Sequence, residues 1–202
     1  MFRRKFGRDI MRFTSARLAG VLSALAFLTS LGTAEAKLDL FGDLPIVEAV
    51  REGSLDDTKK AIIDGASVQS RAADGTPIIV MAVSARSLDI VKLLIENGAR
   101  PDDRAKKDDT SALTLAAANG EREIVAYLLD HNADIDLPGA LRETALIKAT
   151  RGLHNEVVKL LLERGANTED TDASGATALE IAQASGRKDL EALFKTKKAT
   201  SK

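Results

Sequence analysis

Few residues in this chain could carry covalent chemistry. Its 202 residues include two histidines, His131 and His154, and no cysteine. A thiol nucleophile is therefore absent, and the clustered nitrogen and sulfur donors of a zinc site cannot be assembled. His131 falls in the last turn of a predicted helix, where an imidazole suits the negative end of the helix dipole; His154 falls in a predicted loop. The paired carboxylates Asp56-Asp57, Asp102-Asp103 and Asp108-Asp109 could act as general acids or bases, but they lie in loops or at predicted helix starts and read better as solvated caps. No run of glycines has a phosphate-cradling spacing. This inventory predicts no catalytic residue, no metal site and no cofactor, and a protein that is not an enzyme.

The elements that would position any functional group repeat. Ala49, Ala82, Ala116, Ala149 and Ala182 stand at intervals of 33, 34, 33 and 33 residues. A second ladder, Gly65-Ala66, Gly98-Ala99, Asn132-Ala133 and Gly165-Ala166, follows apolar helical stretches at the same interval. Gly, or Asn in its place, supplies the left-handed conformation that ends a helix. The stretches before those ends, such as Ile90 to Leu94, Ile124 to Leu129 and Val157 to Leu162, are apolar over a face wide enough to be buried. A period near 33 is that of a helical solenoid, in which each unit buries a face only against its neighbours.

The pattern resembles the ankyrin repeat family, and the resemblance covers residues 39 to 195. Asp39, Gly42, Pro45, Ile46 and Ala49 match the family's turn and inner helix in a first unit. Gly75, Ile79 and Ala82 do so in a second, with Pro77 where the family has Thr. Ser111, Leu113, Leu115, Ala116, Ala117 and Gly120 match in a third; Thr144, Leu146, Ala149 and His154 in a fourth; Asp172, Gly175, Thr177, Leu179, Ala182 and Gly186 in a fifth. The expected fold is all-α: a solenoid of five helix-turn-helix units at about 39–71, 72–105, 106–138, 139–171 and 172–195. Small Ala residues on the inner helices allow close approach, and Ser or Thr ahead of them caps free amides. In the end units, Asp57, Thr58, Lys60, Glu191 and Lys195 stand where other units are apolar, which predicts a polar outer face at each end. Residues 196–202 have too few apolar groups to pack and read as a basic disordered tail.

Residues 1–36 differ in kind. Arg3, Arg4, Lys5, Arg8, Arg12 and Arg17 lead into an apolar run from Leu18 to Gly32, followed by Ala34-Glu35-Ala36. That is the layout of a secretory signal peptide, with cleavage expected between Ala36 and Lys37. The run is too short for an ordinary membrane span of roughly 20 residues, so no stable anchor is expected after cleavage. A mitochondrial presequence and an uncleaved anchor are weaker readings, and the Arg3-Arg4 pair leaves the twin-arginine route open. The expected location is the periplasm, with secretion from the cell as the alternative.

Of 29 basic and 30 acidic residues, positions 1–36 hold 6 and 2, which leaves 23 and 28 beyond them. A net acidic chain is a poor nucleic-acid binder. The resemblance implies a non-enzymatic monomer that binds another protein through the concave face made by turn tips and inner helices. Projected onto this chain, that face comprises Phe41, Arg51, Asp74, Arg86, Lys107, Asn119, Leu141, Arg142 and Arg151. Arg86 and Arg142 stand where the family has Gly, which predicts altered turns, and Leu141 puts an apolar side chain at a tip. An exported effector acting on host proteins is the alternative function.

Overall fold

A computed structural model describes the backbone of residues 44–200 and the side chains of residues 44–195. The expected signal peptide, its cleavage bond at Ala36-Lys37, and Phe41 lie outside the described residues. Among the described residues ten α-helices follow in pairs: α1 (Pro45–Arg51) and α2 (Leu55–Ile63), α3 (Ile78–Ser84) and α4 (Leu88–Glu96), α5 (Ala112–Asn119) and α6 (Arg122–Asp130), α7 (Ala145–Arg151) and α8 (Asn155–Glu163), α9 (Ala178–Ala184) and α10 (Lys188–Thr200). Each inner helix, with an odd label, packs on its outer partner and on the next inner helix. One continuous apolar core runs the length of the stack from Ile46 to Phe194. The ladder residues Ala82, Ala116, Ala149 and Ala182 lie in it at 0% exposure, and Ala49 is buried at 5% exposure. Inner helices of seven or eight residues beside outer helices of nine or more make each unit a wedge.

Local chemistry explains the helix ends. Ser111, Thr144 and Thr177 accept the third-position amides of α5, α7 and α9, and Thr177 shares a capping box with Glu180. Ser54 and Ser87 do the same for outer helices α2 and α4. Outer helices end at Gly65, Gly98, Asn132 and Gly165, all left-handed, with φ of 93, 91, 62 and 92°.

The turn from inner to outer helix also passes through the left-handed region, at Gly53, Arg86, Gly120, Leu153 and Gly186, with φ of 71, 55, 76, 58 and 70°. The expected alteration at Arg86 is therefore absent: Arg86 and Leu153 take the glycine conformation. That conformation costs an L-residue roughly 1–2 kcal/mol. Thr58 also departs from expectation. It is fully buried and its hydroxyl donates to the Ser54 carbonyl at 2.6 Å, so it belongs to the core rather than to a polar end face. The helix of the last unit runs on to Thr200, so the backbone does not break at residue 196. Good helix formers and lysines at a helix C-terminus favour that continuation.

Candidate interaction surface

Between units the chain forms fingers ahead of the inner helices. Each is spanned by a backbone hydrogen bond: Ala72 N–H to Thr76 O at 2.9 Å, Ala105 to Thr110 at 2.9 Å, Gly139 to Glu143 at 3.0 Å and Asp172 to Ala176 at 3.0 Å. Three of them add an antiparallel bridge, Arg71 with Pro77, Arg104 with Ser111, and Thr171 with Thr177. Arg71 and Arg104 hold the row together. The Arg71 guanidinium donates to the carbonyl of Gly75 at 2.9 Å and of Arg104 at 2.8 Å, and Arg104 donates to Pro138 O at 3.2 Å. Behind the fingers, the carboxylate of Asp102 accepts the Asp134 amide at 2.9 Å and that of Asp136 accepts the Asn167 amide at 2.8 Å. These ties between units satisfy backbone groups that no regular element would use.

The fourth finger differs from the rest. Its tip is a short 3₁₀ turn, Ala140–Arg142, with both Leu141 (φ 56°) and Arg142 (φ 60°) left-handed. Arg142 thus keeps the backbone that Gly75 and Gly175 have in other fingers, both at φ 85°, while Leu141 is altered as well. Leu141 is 68% exposed, and its carbonyl accepts the Ala173 amide of the fifth finger at 2.7 Å.

Asp74, Lys107, Leu141 and Arg142 form an exposed row along the tips. Asp74 accepts the Thr76 amide at 2.9 Å, which holds its carboxyl below the ordinary value. Arg51 is exposed on α1 and pairs with Glu48. Arg86 and Asn119 lie at the far ends of the inner helices, roughly 10 Å of helix away from the tips. They converge on Glu121, whose carboxylate takes Arg86 Nε at 2.9 Å and Asn119 Nδ2 at 3.1 Å and is itself buried. Arg151 is likewise engaged. It pairs with the buried carboxylates of Glu143, at 2.7 Å, and Asp172, and Glu143 also pairs with Lys148. Three of the sequence-derived residues therefore brace the scaffold, and four meet at the tips.

Glu121, Glu143 and Asp172, together with the Arg71/Arg104 and Asp102/Asp136 pairs, are absent from the sequence-derived surface. Reading each repeat position as a column reveals the last two pairs, since each recurs at the repeat interval. The buried acids become visible only when their partners are placed.

The imidazoles have structural partners. His154 Nε2 lies 2.9 Å from Ala118 O, and His131 Nδ1 lies 2.8 Å from Tyr127 O. The His154 ring fills the space beside Gly120 and Gly152, where a Cβ would meet it at 2.5 and 2.4 Å. An open depression of about 420 Å³ is lined by Arg100, Pro101, Asp102, Asp103, His131 and Asn132. Its polar groups are spent on the scaffold: Asp102 on the Asp134 amide, Asp103 on Arg71 and Arg100. Among the described residues no cluster of three or more His, Asp or Glu is placed to hold a metal ion.

A family model for ankyrin repeats, three copies, matches residues 46–139 and again 136–202. A putative ankyrin repeat-containing protein of Treponema pallidum is 30% identical over 132 residues, which is 65% of this chain and 44% of that protein. Human diacylglycerol kinase iota is 39% identical over 93 residues, 45% of this chain and 9% of the kinase. Alpha-latrotoxin-Lg1a of Latrodectus geometricus is 32% identical over 125 residues, 60% of this chain and 9% of the toxin. The aligned part spans less than half the length of each of these relatives. The two stacked ladders, the five helix pairs and the family match agree: this chain belongs to the ankyrin-repeat family.

Proposed function

We propose that this chain is a non-enzymatic scaffold of the periplasm that takes a partner protein on its fingers and inner helices. Ankyrin repeats are general protein–protein interaction modules. The observation that carries the reading here is the row of exposed, chemically varied tips, Asp74, Lys107, Leu141 and Arg142, on a frame in which Arg86, Asn119 and Arg151 are taken up by buried carboxylates. Side chains fixed on rigid elements lose little freedom on binding. The periplasmic part of the proposal rests on the leader at residues 1–36, and the net acidic remainder disfavours nucleic acid as the partner. The chain works as a monomer, without a membrane anchor once the leader is removed.

Fractionation of an epitope-tagged chain tests the compartment: recovery in the periplasmic fraction supports it, whereas retention in the cytoplasm or release to the medium counts against it. A photo-crosslinking residue placed at Lys107 or Arg142, compared with one at Lys159 on outer helix α8, tests the face. A discrete adduct from the tips and none from α8 is the expected result. Release to the medium with adducts to host proteins would instead support the exported-effector alternative.

A further inference from the structure

The departures from strict repetition fall on two adjacent tips. The third finger carries one residue more than the others between its closing amide and carbonyl, Ala105 to Thr110 against Ala72 to Thr76, Gly139 to Glu143 and Asp172 to Ala176. That extra residue is the source of the 34-residue interval. Its Lys106 lies back over Gly75 of the preceding finger, where a Cβ would meet the lysine stem at 2.8 Å, and the neighbouring Lys107 is exposed. The fourth finger places two successive non-glycine residues in the left-handed region and has no bridge among the described residues. Its Leu141 is mostly exposed and is anchored only through its carbonyl to Ala173.

Inner helix packs on inner helix on both sides of these fingers, and the contacts of Lys106 with Gly75 and of Leu141 with Ala173 tie only the fingers. Backbone strain of this kind persists where the surroundings hold it and concentrates at functional positions. Charge narrows the ligand. Asp108 is engaged with the Thr110 amide at 3.2 Å. Lys106, Lys107 and Arg142 are exposed, and they outnumber the exposed carboxylates of these tips, Asp108 and Asp109.

We infer that the third and fourth tips dock an acidic segment of a partner protein that presents one apolar side chain: the apolar group covers Leu141, and the acids meet Lys107 and Arg142. This rests on the interaction-module reading and adds the chemistry of the partner to it. An apolar anchor ringed by complementary charge is an economical arrangement for specific recognition, the anchor supplying affinity and the charges supplying orientation and rate.

Selection of random phage-displayed peptides on the immobilised full chain tests it. Enriched peptides should carry Asp or Glu on both sides of a Leu, Ile or Phe. Their binding should weaken about tenfold or more in Leu141→Ala and in the Lys107→Glu/Arg142→Glu pair. Raising the salt should weaken wild-type binding and leave the charge-reversed pair nearly unaffected. Leu141→Gly removes the side chain while suiting the backbone, so lost binding with unchanged or raised thermal stability assigns the loss to contact rather than to folding. Peptides without acidic enrichment, peptides indifferent to Leu141, or no enriched peptide at all would overturn the inference. If the selected peptides respond instead to Ser84→Glu or Gln183→Glu, at exposed positions on the inner helices, the docking point is wrong while the interaction-module reading stands.

Discussion

Arg151, in the last turn of α7, ion-pairs with Asp172 at the base of the next finger, 21 residues on. The same guanidinium holds Glu143 at the base of its own finger. One cation thus clasps two carboxylates that are almost fully buried, at 3 and 7% side-chain exposure, and fixes the fifth unit to the fourth. Removing a partner from buried charge leaves the other uncompensated.

Arg151→Met should therefore lower the urea midpoint clearly more than Arg142→Met, whose guanidinium is exposed at a tip. Hydrogen exchange should show the loss first in α9 and α10, since neighbouring units are the only support of an end unit. Equal midpoints for the two variants would contradict the clasp.

Acid should loosen the same junction. The Ser174 hydroxyl, then the Ala176 and Ser174 amides and Arg151, hold the Asp172 carboxyl down to about 2 from an ordinary 3.8. A depressed folded value means that the carboxylate's contribution is fully present above about pH 4 and is lost as the pH falls toward 2. Unfolding by urea at a series of pH values should show stability declining through that window, with a shallower decline in Asp172→Asn.

The His154 wedge predicts a specific coupling. Gly152 has an ordinary right-handed backbone, φ −72°, so Gly152→Ala is unfavourable chiefly because its Cβ meets the imidazole at 2.4 Å, with the Ala118 carbonyl oxygen at 3.3 Å a lesser obstacle. The substitution should cost about 1–3 kcal/mol as an overpacking change. In a His154→Ala background most of that cost should vanish, which a double-mutant cycle would read directly.

Two left-handed residues should respond oppositely to glycine. Leu153→Gly relieves the backbone at φ 58° and should stabilise the chain by about 0.5–1 kcal/mol. Arg86→Gly relieves the same geometry at φ 55° but takes the guanidinium from buried Glu121. It should not share that gain, and should fall below Leu153→Gly by about 1 kcal/mol. Thermal unfolding of the two variants side by side makes the comparison.

The architecture was legible because stacking repeats the same demand in every unit. Ala116 must be small where two inner helices meet, and Gly98 must be left-handed where α4 ends, so each leaves a trace at a fixed interval. The proposed binding surface is the part free of that demand, and its residues vary without a period. Projection from the family pattern located Leu141 and Arg142 at a tip. It also assigned Arg86, Asn119 and Arg151 to the surface, because an exposed cation or amide at a helix end looks the same whether it faces solvent or reaches a carboxylate in the next unit. Glu121, Glu143 and Asp172 decide that question: Glu121 and Asp172 take up Arg86 and Arg151 from 35 and 21 residues away, and Glu143 meets Lys148 and Arg151 of its own unit. At Arg86 the expected alteration failed for a related reason: the packing of α3 and α4 dictates the turn, and it overrides the residue's own preference.

The third finger's surplus residue lies wholly on the tip side of the hydrogen bond between Ala105 and Thr110. The helices behind that bond are blind to how much chain loops out in front of it. Length at the rim can accordingly drift by insertion or deletion while the frame stays in phase, so recognition can be rewritten one loop at a time without rebuilding the stack.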